Sequence, residues 1–247
     1  YPPGSVFKIP STLGLLVNGL EPEAVVDCPP TLTVGKEFRN AEGGALGSVP
    51  FRVDFAKSCN TAFVSQADAL PSAQLSEVAA SLGYRELDLG TPAQGGSVPV
   101  TEDRTEHAAQ MIGQGKVLSS PLAVALASAS VGAGRTLEPR LVIDPEVPEP
   151  APGAPLPVPA VDQLRGLMRA VVTEGTGEVM ADTPGGEVFA KTGTAEYGTE
   201  TPPRTHAWFT GYQGDVAFAV LVEDGGFGST AAAPVAKRFL AELAAAG

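Results

Sequence analysis

Histidine and cysteine are scarce in this sequence, which has two of each among 247 residues. Neither His107 nor His206 lies beside Cys28 or Cys59 in the chain. The four residues therefore lack the close ligand spacing of a zinc site, and a papain-type cysteine nucleophile lacks its paired histidine. We expect no metal and no cofactor.

Basic clusters and long apolar runs are also missing. Sixteen lysines and arginines stand against 28 acidic residues, which gives a formal net charge of −12. Nucleic-acid phosphates reward clustered positive charge, so we expect no nucleic-acid partner. The longest nearly uncharged apolar stretch, residues 122–133, is too short to span a bilayer. An apolar fraction of 43% instead predicts a globular domain.

The first residues with potential chemistry are Ser5 and Lys8, at the head of an apolar run. If a helix opens at Gly4 and Ser5, the three-residue spacing brings the Lys8 amine within reach of the Ser5 hydroxyl. Serine needs an adjacent base to act as a nucleophile, and a partly desolvated lysine can serve. A lone Ser-x-x-Lys is also what a capping serine followed by a solvated lysine would give.

Two other catalytic motifs fit poorly. A histidine-based serine hydrolase would have only two histidines to draw on, and the chain has no Gly-x-Ser-x-Gly motif. A phosphate-binding loop would need a glycine at position 110, five residues before Gly115-Lys116, where the chain has Gln110.

Two further motifs give the serine and lysine a context. Ser58-Cys59-Asn60 supplies a hydroxyl and an amide, and Lys191-Thr192-Gly193-Thr194 supplies a cation, hydroxyls and a glycine. The order Ser-x-x-Lys, Ser-x-Asn, Lys-Thr-Gly marks penicillin-binding proteins and serine β-lactamases. The chain therefore resembles the transpeptidase domain of penicillin-binding proteins, actinobacterial members most. Residues 112–115 and 174–176 extend that resemblance.

The resemblance implies a role for each catalytic residue. Ser5 would attack an amide or lactam carbonyl while Lys8 takes its proton. Ser58 would relay protons to the departing amine, and Asn60 would hold the substrate amide. Lys191 would supply a positive potential that attracts a carboxylate.

The residues after the second lysine are implied to receive the substrate. Thr192 and Thr194 would bind a terminal carboxylate with their hydroxyls. Gly193 has no side chain, so the acyl group could lie along that strand. The backbone N–H groups of Ser5 and Thr194 would form the oxyanion hole.

Three kinds of protein share this acylation machinery. A class A β-lactamase needs a Glu-x-x-x-Asn element to activate its deacylating water, and no asparagine follows Asn60. A β-lactam-sensing domain, which stays acylated, is distinguished by a membrane-embedded region upstream. The resemblance therefore implies a class B, monofunctional peptidoglycan D,D-transpeptidase, which cross-links stem peptides through an acyl-enzyme at Ser5.

The resemblance also implies partners and a location. The ligands would be D-Ala-D-Ala stem peptides and β-lactams, with a glycan polymerase of the division or elongation machinery as protein partner. Members of the family act at the extracytoplasmic face of the bacterial membrane through an N-terminal anchor. Because the chain opens on Tyr1, we expect this anchor and the first strands of the catalytic sheet to precede it.

Cys28 and Cys59 form either a disulfide or two buried thiols. A disulfide would tie the segment after the first helix to the loop that carries Ser58 and Asn60.

The pattern of elements predicts one α+β domain over residues 1–247, with the fold of penicillin-binding proteins and serine β-lactamases. An antiparallel sheet flanked by helices would meet an all-helical region at the active site. We predict helices over 9–17, 54–64, 72–82, 107–131 in two pieces, 161–173 and 230–246. We predict strands over 32–34, 49–51, 140–143 and 187–194, and a hairpin of 205–212 with 216–223. Residues 139–159 are otherwise expected to be extended, and residues 90–100 irregular. As an alternative to a catalytic role, or together with it, Ser58 or Asn60 could cap a helix that starts at Thr61.

Overall fold

The computed structural model describes residues 1–142, 152–201 and 203–246. Its helices are α1 (Lys8–Val17), α2 (Phe51–Lys57), α3 (Asn60–Ser65), α4 (Ser72–Ser81), α5 (Arg104–Gln110), α6 (Pro121–Ala133), α7 (Val158–Thr173) and α8 (Ala233–Ala246). Its strands are β1 (Val25–Cys28), β2 (Thr31–Val34), β3 (Lys36–Arg39), β4 (Gly47–Pro50), β5 (Glu86–Asp88), β6 (Pro92–Gln94), β7 (Gly96–Ser97), β8 (Leu118–Ser119), β9 (Val188–Tyr197), β10 (Arg204–Gln213) and β11 (Val216–Val222).

The largest sheet in the described residues has three antiparallel strands in the order β11-β10-β9. Side chains alternate between the two faces of β10. Trp208 and Tyr212 join the larger core, which includes residues of α1, α6 and α7. Ala207 and Phe209 join a smaller core with residues of α8. The sheet thus separates two hydrophobic layers, and β9 is one of its two edge strands in the described residues.

Helix α1 is the central helix of the larger layer. It is buried from Lys8 through Leu16, and it packs against α4 and α7. The many apolar residues of α1 favour this burial, because a helix that is largely apolar around its circumference packs among other elements rather than at the surface. Lys8 begins this helix, so its amine is held at the point where the helical layer meets β9.

The mixture of an antiparallel sheet with a largely helical region confirms the predicted α+β fold. The predicted helices over 9–17, 72–82 and 161–173 are present, and α5 and α6 are the two pieces expected between 107 and 131. The hairpin of β10 and β11 pairs Gln213 with Val216 beside its turn, as predicted.

The helix predicted over 54–64 is instead two helices. Helix α2 ends at Lys57, and α3 begins at Asn60. The break lies at Ser58, which adopts the left-handed conformation with φ 62° and ψ 39°, and a helix cannot continue through such a residue. The Sγ atom of Cys59, not Ser58 or Asn60, caps α3 by accepting from the Ala62 N–H at 3.3 Å.

Other predicted boundaries also differ. The strand predicted over 49–51 ends at Pro50, because Phe51 starts α2. Residues 140–142 form no strand, and Ile143 lies outside the described residues. The stretch predicted as irregular contains two short strands, β6 and β7.

Helix α8 begins at Ala233, after a π-helical turn over Gly228–Ala232. At Gly228 a Cβ atom would lie 2.2 Å from the Trp208 carbonyl oxygen and 2.4 Å from that of Gly193. A glycine is therefore required where this turn crosses the sheet. Across the described ranges, none of the helices has the length and apolar content that a membrane span requires.

Candidate active site

Ser5 lies in a 3-10 turn over Gly4–Phe7 that leads directly into α1. Residues three apart are eclipsed in such a turn, so Ser5 and Lys8 share a face. Gly4 has φ +54°, and a Cβ there would lie 2.4 Å from the Thr194 carbonyl oxygen. The glycine thus lets the turn that carries the serine approach β9 closely. The Ser5 side chain is half-buried, and it makes no hydrogen bond within the described ranges.

The Lys8 amine is fully buried and reaches toward the Ser-x-Asn segment. Its Nζ atom donates to the Ser58 carbonyl oxygen and to Asn60 Oδ1, each at 2.8 Å, and approaches Ser58 Oγ at 3.3 Å. The Phe63 ring covers it, with the ring centre 5.0 Å from Nζ. Lys8 therefore joins the first motif to the second.

Lys191 approaches the same hydroxyl from the sheet. Its Nζ atom donates to Ser58 Oγ at 2.8 Å and to the Thr192 carbonyl oxygen at 3.1 Å. The Phe55 ring lies 5.6 Å from this amine. The three predicted motifs thus meet at the Ser58 hydroxyl, although they lie far apart in the sequence.

Burial shifts the acid–base properties of the two amines. Desolvation lowers the pKa of Lys191 to about 7. Desolvation, followed by repulsion from Lys191, lowers the pKa of Lys8 well below the usual lysine value. An amine with a lowered pKa can be neutral near neutral pH, and a neutral amine can accept a proton.

The conformation of Ser58 is held by its neighbours. A left-handed backbone costs a non-glycine residue about 1 to 2 kcal/mol. Cys59, the next residue, forms a disulfide with Cys28, which resolves the alternative left open by the sequence. The Lys8 amine also binds the Ser58 carbonyl oxygen, which restrains the peptide unit between Ser58 and Cys59. Strain of this kind is typical of functional sites.

Asn40 is a site residue that the sequence analysis missed. Its side-chain oxygen accepts from the backbone N–H groups of Asn60 and Thr61 at 2.8 and 3.0 Å. Its side-chain nitrogen donates to the carbonyl oxygens of Pro29 and Gly44, each at 2.8 Å. It thereby joins the segment after β1 to the start of α3. A single asparagine in a loop carries no sequence pattern that would have revealed this.

Gly193 explains how the strand packs against the nucleophile turn. A Cβ atom at Gly193 would lie 2.9 Å from Val6 Cγ1 and 3.0 Å from the Val6 backbone nitrogen. The missing side chain therefore makes room for the residue next to Ser5. Packing within the protein therefore requires glycine at position 193. The room that the absent side chain would leave for an acyl group is a separate expectation from the sequence.

The threonines of the third motif differ in their surroundings. Thr192 is 6% exposed, and its hydroxyl lies 2.5 Å from the Thr176 hydroxyl. Thr194 is half-buried on the same strand. The Thr192 hydroxyl, a predicted carboxylate ligand, is thus oriented by a residue from the turn after α7.

The histidines and cysteines have structural partners. His107 Nε2 lies within 2.9 Å of the carbonyl oxygens of Ala67 and Leu70, and His206 stacks on Tyr197. One group of potential metal ligands, Cys28, Asp54 and Cys59, is close together in the described residues. Its two sulfur atoms are bonded to each other, so they offer no thiolate to a metal.

Comparison with known proteins gives a consistent result. The family model described as the penicillin binding protein transpeptidase domain matches residues 1–241. The chain is similar to a peptidoglycan D,D-transpeptidase PbpA of Mycolicibacterium smegmatis, with 34% identity over 98% of this chain and 54% of that protein. The chain therefore spans about half the length of the curated relatives it matches.

Solved structures agree with that relationship. The ceftriaxone acyl-enzyme of penicillin-binding protein A from Mycobacterium tuberculosis is 29% identical, with a TM-score of 0.86, over 100% of this chain and 61% of that one. The complex of PBP2 with MreC from Helicobacter pylori contains a chain that is 27% identical, with a TM-score of 0.83. That match covers 98% of this chain and 50% of the other. Sequence motifs, fold and relatives agree that the chain belongs to the penicillin-binding protein transpeptidase domain family.

Proposed function

We propose that this chain is the catalytic part of a serine-type peptidoglycan D,D-transpeptidase and a target of β-lactams. The observation that carries the proposal is the convergence of two buried lysines on the Ser58 hydroxyl, beside the turn that bears Ser5. The transpeptidase names of the curated relatives support the reaction type. The acyl-enzyme of the M. tuberculosis protein supports covalent capture of β-lactams.

In the first half of the reaction, Ser5 Oγ attacks the carbonyl carbon of the penultimate D-Ala of a stem peptide. The Lys8 amine takes the serine proton, and Ser58 passes a proton to the nitrogen of the departing D-Ala. The C–N bond breaks as the new ester bond forms. Donors such as the N–H groups of Ser5 and Thr194 would stabilise the oxyanion.

In the second half, an amine of a neighbouring stem peptide attacks the ester carbon. It loses a proton through the same relay, and Ser5 regains one as the ester bond breaks. Lys191, Thr192 and Thr194 would hold the terminal carboxylate before it leaves, and Asn60 the substrate amide. Because β9 is an edge strand of its sheet, an extended peptide can pair with its free edge.

The location and partners follow the same proposal. A disulfide persists in oxidising compartments outside the cytoplasm, so the bond between Cys28 and Cys59 supports a site at the extracytoplasmic face of the membrane. An N-terminal anchor would hold the protein there. The H. pylori PBP2–MreC complex supports a partner in the cell-elongation machinery, in association with a glycan polymerase.

The deciding experiment is intact-mass spectrometry of the protein during several hours with benzylpenicillin, beside a Ser5→Ala variant. We expect one stable adduct in the wild type and none in the variant. Rapid return to the unmodified mass with hydrolysed drug would identify a β-lactamase instead. A folded wild-type protein that forms no adduct would refute the proposal.

A further inference from the structure

Asp54 is a fully buried carboxylate that the proposed mechanism leaves without a role. It lies on α2, one turn before Ser58, and none of its surface is exposed. Neither of its side-chain oxygens has a hydrogen-bond partner in the described ranges. Its backbone carbonyl accepts from the Cys59 N–H at 2.8 Å, so its position is tied to the Ser-x-Asn segment.

The surroundings of Asp54 contain charges of both signs. Lys8 on α1 attracts it, and Asp27 on β1 repels it. Lys191 on β9 is the other charged group that faces Lys8. Helix α7 also packs against α2, but its arginines donate hydrogen bonds elsewhere. Arg165 donates to the carbonyl oxygens of Val131 and Gly132, and Arg169 donates to that of Val188.

The two sulfur atoms of the disulfide also lie close to Asp54. An oxygen of the carboxylate and both sulfurs lie within 4.8 Å of one another. A disulfide carries no proton, so it cannot donate a hydrogen bond to the carboxylate. Burial accordingly raises the pKa of Asp54 to about 7, although the attraction of Lys8 opposes the rise.

A buried carboxylate without hydrogen bonds destabilises a fold, and an apolar side chain would fill the same space at lower cost. Its backbone carbonyl and the Lys8 amine bind the same peptide unit, between Ser58 and Cys59. Asp54 therefore has an electrostatic effect on this amine that an apolar residue would not provide. We propose that Asp54 is a positioning residue that sets the protonation state of the Lys8 amine during acylation, an inference that rests on the function proposed above.

The direction of the effect follows from the signs of the charges. An ionised Asp54 stabilises the protonated form of Lys8, while Lys191 destabilises it. When Asp54 is neutral, Lys8 loses its proton more readily and becomes available as a base at lower pH. The carboxyl and the amine thus titrate as a coupled pair, so the charge of Asp54 affects the pH at which Lys8 loses its proton.

The test is the pH profile of acylation by benzylpenicillin in the intact chain, compared between wild type and Asp54→Asn. The substitution keeps the shape of the side chain and removes its charge. We expect the acidic limb of the second-order acylation rate to move to lower pH by about one unit. Relative to each protein's plateau, the low-pH rate would then rise about tenfold.

A matched control is Asp27→Asn, the same chemical change at an exposed carboxylate on β1. Because Asp27 raises the pKa of Asp54, its removal leaves Asp54 more ionised. The acidic limb of this variant should stay in place or move to higher pH. A downward shift equal to that of Asp54→Asn would contradict the inference.

A second measurement does not depend on turnover. The ¹³Cε resonance of Lys8, assigned with a Lys8→Met variant, reports the titration of the amine directly. In folded Asp54→Asn protein it should titrate at lower pH than in wild type, and an unchanged midpoint would overturn the inference. A uniform loss of rate at every pH would show a merely structural role and would equally overturn it. Absence of acylation in wild type would refute the proposed function instead, and the Lys8 titration would still decide the role of Asp54.

Discussion

Lys191 Nζ donates a hydrogen bond to Ser58 Oγ at 2.8 Å, although 133 residues separate the two in the sequence. Lys8 Nζ, at the start of α1, approaches the same oxygen at 3.3 Å. The Ser58 hydroxyl can therefore accept from one amine while donating to another group. This geometry is what a proton relay between a base and a leaving group needs.

Removal of the Ser58 hydroxyl should slow acylation without loss of the fold. We expect both Ser58→Ala and Ser58→Gly to lower the rate of penicillin acylation about 10² to 10³-fold, in the range of lost proton transfer. Because Ser58 has φ 62°, the glycine variant should be more stable than the alanine variant by about 1 kcal/mol. Stopped-flow kinetics measure the acylation rate, and urea denaturation measures the difference in stability. Equal stability of the two variants would show that the backbone at 58 relaxes without strain.

Asn40 should be important for both stability and rate. Asn40→Ala removes acceptors and donors from four backbone groups, and we expect a loss of about 2 to 3 kcal/mol in the free energy of unfolding. Acylation should also slow, because Asn60 and Thr61 lose the group that fixes them. Asn18→Ala is the control, since Asn18 is exposed and contacts α4 and Ala69 away from the site. If Asn40→Ala lost no more stability than Asn18→Ala, the hydrogen bonds of Asn40 would not be what stabilises the start of α3.

Addition of one methyl group at Gly193 should displace the nucleophile turn. In Gly193→Ala the added Cβ would lie 2.9 Å from Val6 Cγ1 and 3.0 Å from the Val6 backbone nitrogen, closer than packed atoms normally approach. Displacement of a reacting group by a fraction of an ångström lowers rates strongly, so we expect acylation to fall at least about tenfold. Gly166→Ala is the matched control, because a Cβ there meets nothing within 4 Å. It should acylate normally and gain up to about 1 kcal/mol of stability.

Loss of the disulfide should destabilise the protein. Cys28 and Cys59 are 31 residues apart, and closing a loop of that length stabilises a fold by about 3 to 4 kcal/mol in the chain-entropy description. The double variant Cys28→Ala, Cys59→Ser removes the bond and keeps an acceptor at the cap of α3. Guanidinium unfolding, compared with wild type under oxidising and reducing conditions, measures the difference. Wild type reduced with dithiothreitol should match the double variant.

The buried lysine of the third motif should make stability depend on pH. Between about pH 7, where folded Lys191 titrates, and about 10.4, its ordinary value, the unfolded chain binds a proton that the folded chain does not. Stability therefore rises with pH across this window. The lowered pKa of Lys8 acts in the same direction, and Asp54 acts oppositely below about pH 7.

Replacement of Lys191 should remove much of the dependence of stability on pH. We expect Lys191→Met to be more stable than wild type near pH 7. Between pH 7 and pH 10 its free energy of unfolding should rise less than that of wild type, by up to about 4 kcal/mol. Thermal denaturation at several pH values measures it. An unchanged slope would mean that Lys191 keeps its proton in the folded protein.

The motif residues and the fold class were predictable from the sequence because both depend on local patterns. The spacing of Ser5 and Lys8 is a single helical turn, and the alternation in β10 and β11 fixes a hairpin. The order of the three motifs indicated the family before any distance was known. The sequence also argued against histidine-based and thiol-based catalysis, since it has no Gly-x-Ser-x-Gly motif and neither histidine lies beside a cysteine.

The left-handed backbone at Ser58 could not be predicted, because serine and asparagine at positions 58 and 60 indicate a possible helix cap but do not specify its conformation. Local backbone hydrogen bonds from Ser58 and Cys59 end α2 at this point. Tertiary contacts with Lys8, Lys191 and the disulfide then hold the left-handed backbone in place. The hydrogen bonds of Asn40 and the burial of Asp54 likewise depend on segments that meet only after folding. A sequence shows which side chains are available, and local propensity shows how each segment starts. Which of these side chains are desolvated together, and so which pKa values change, is decided by long-range packing alone.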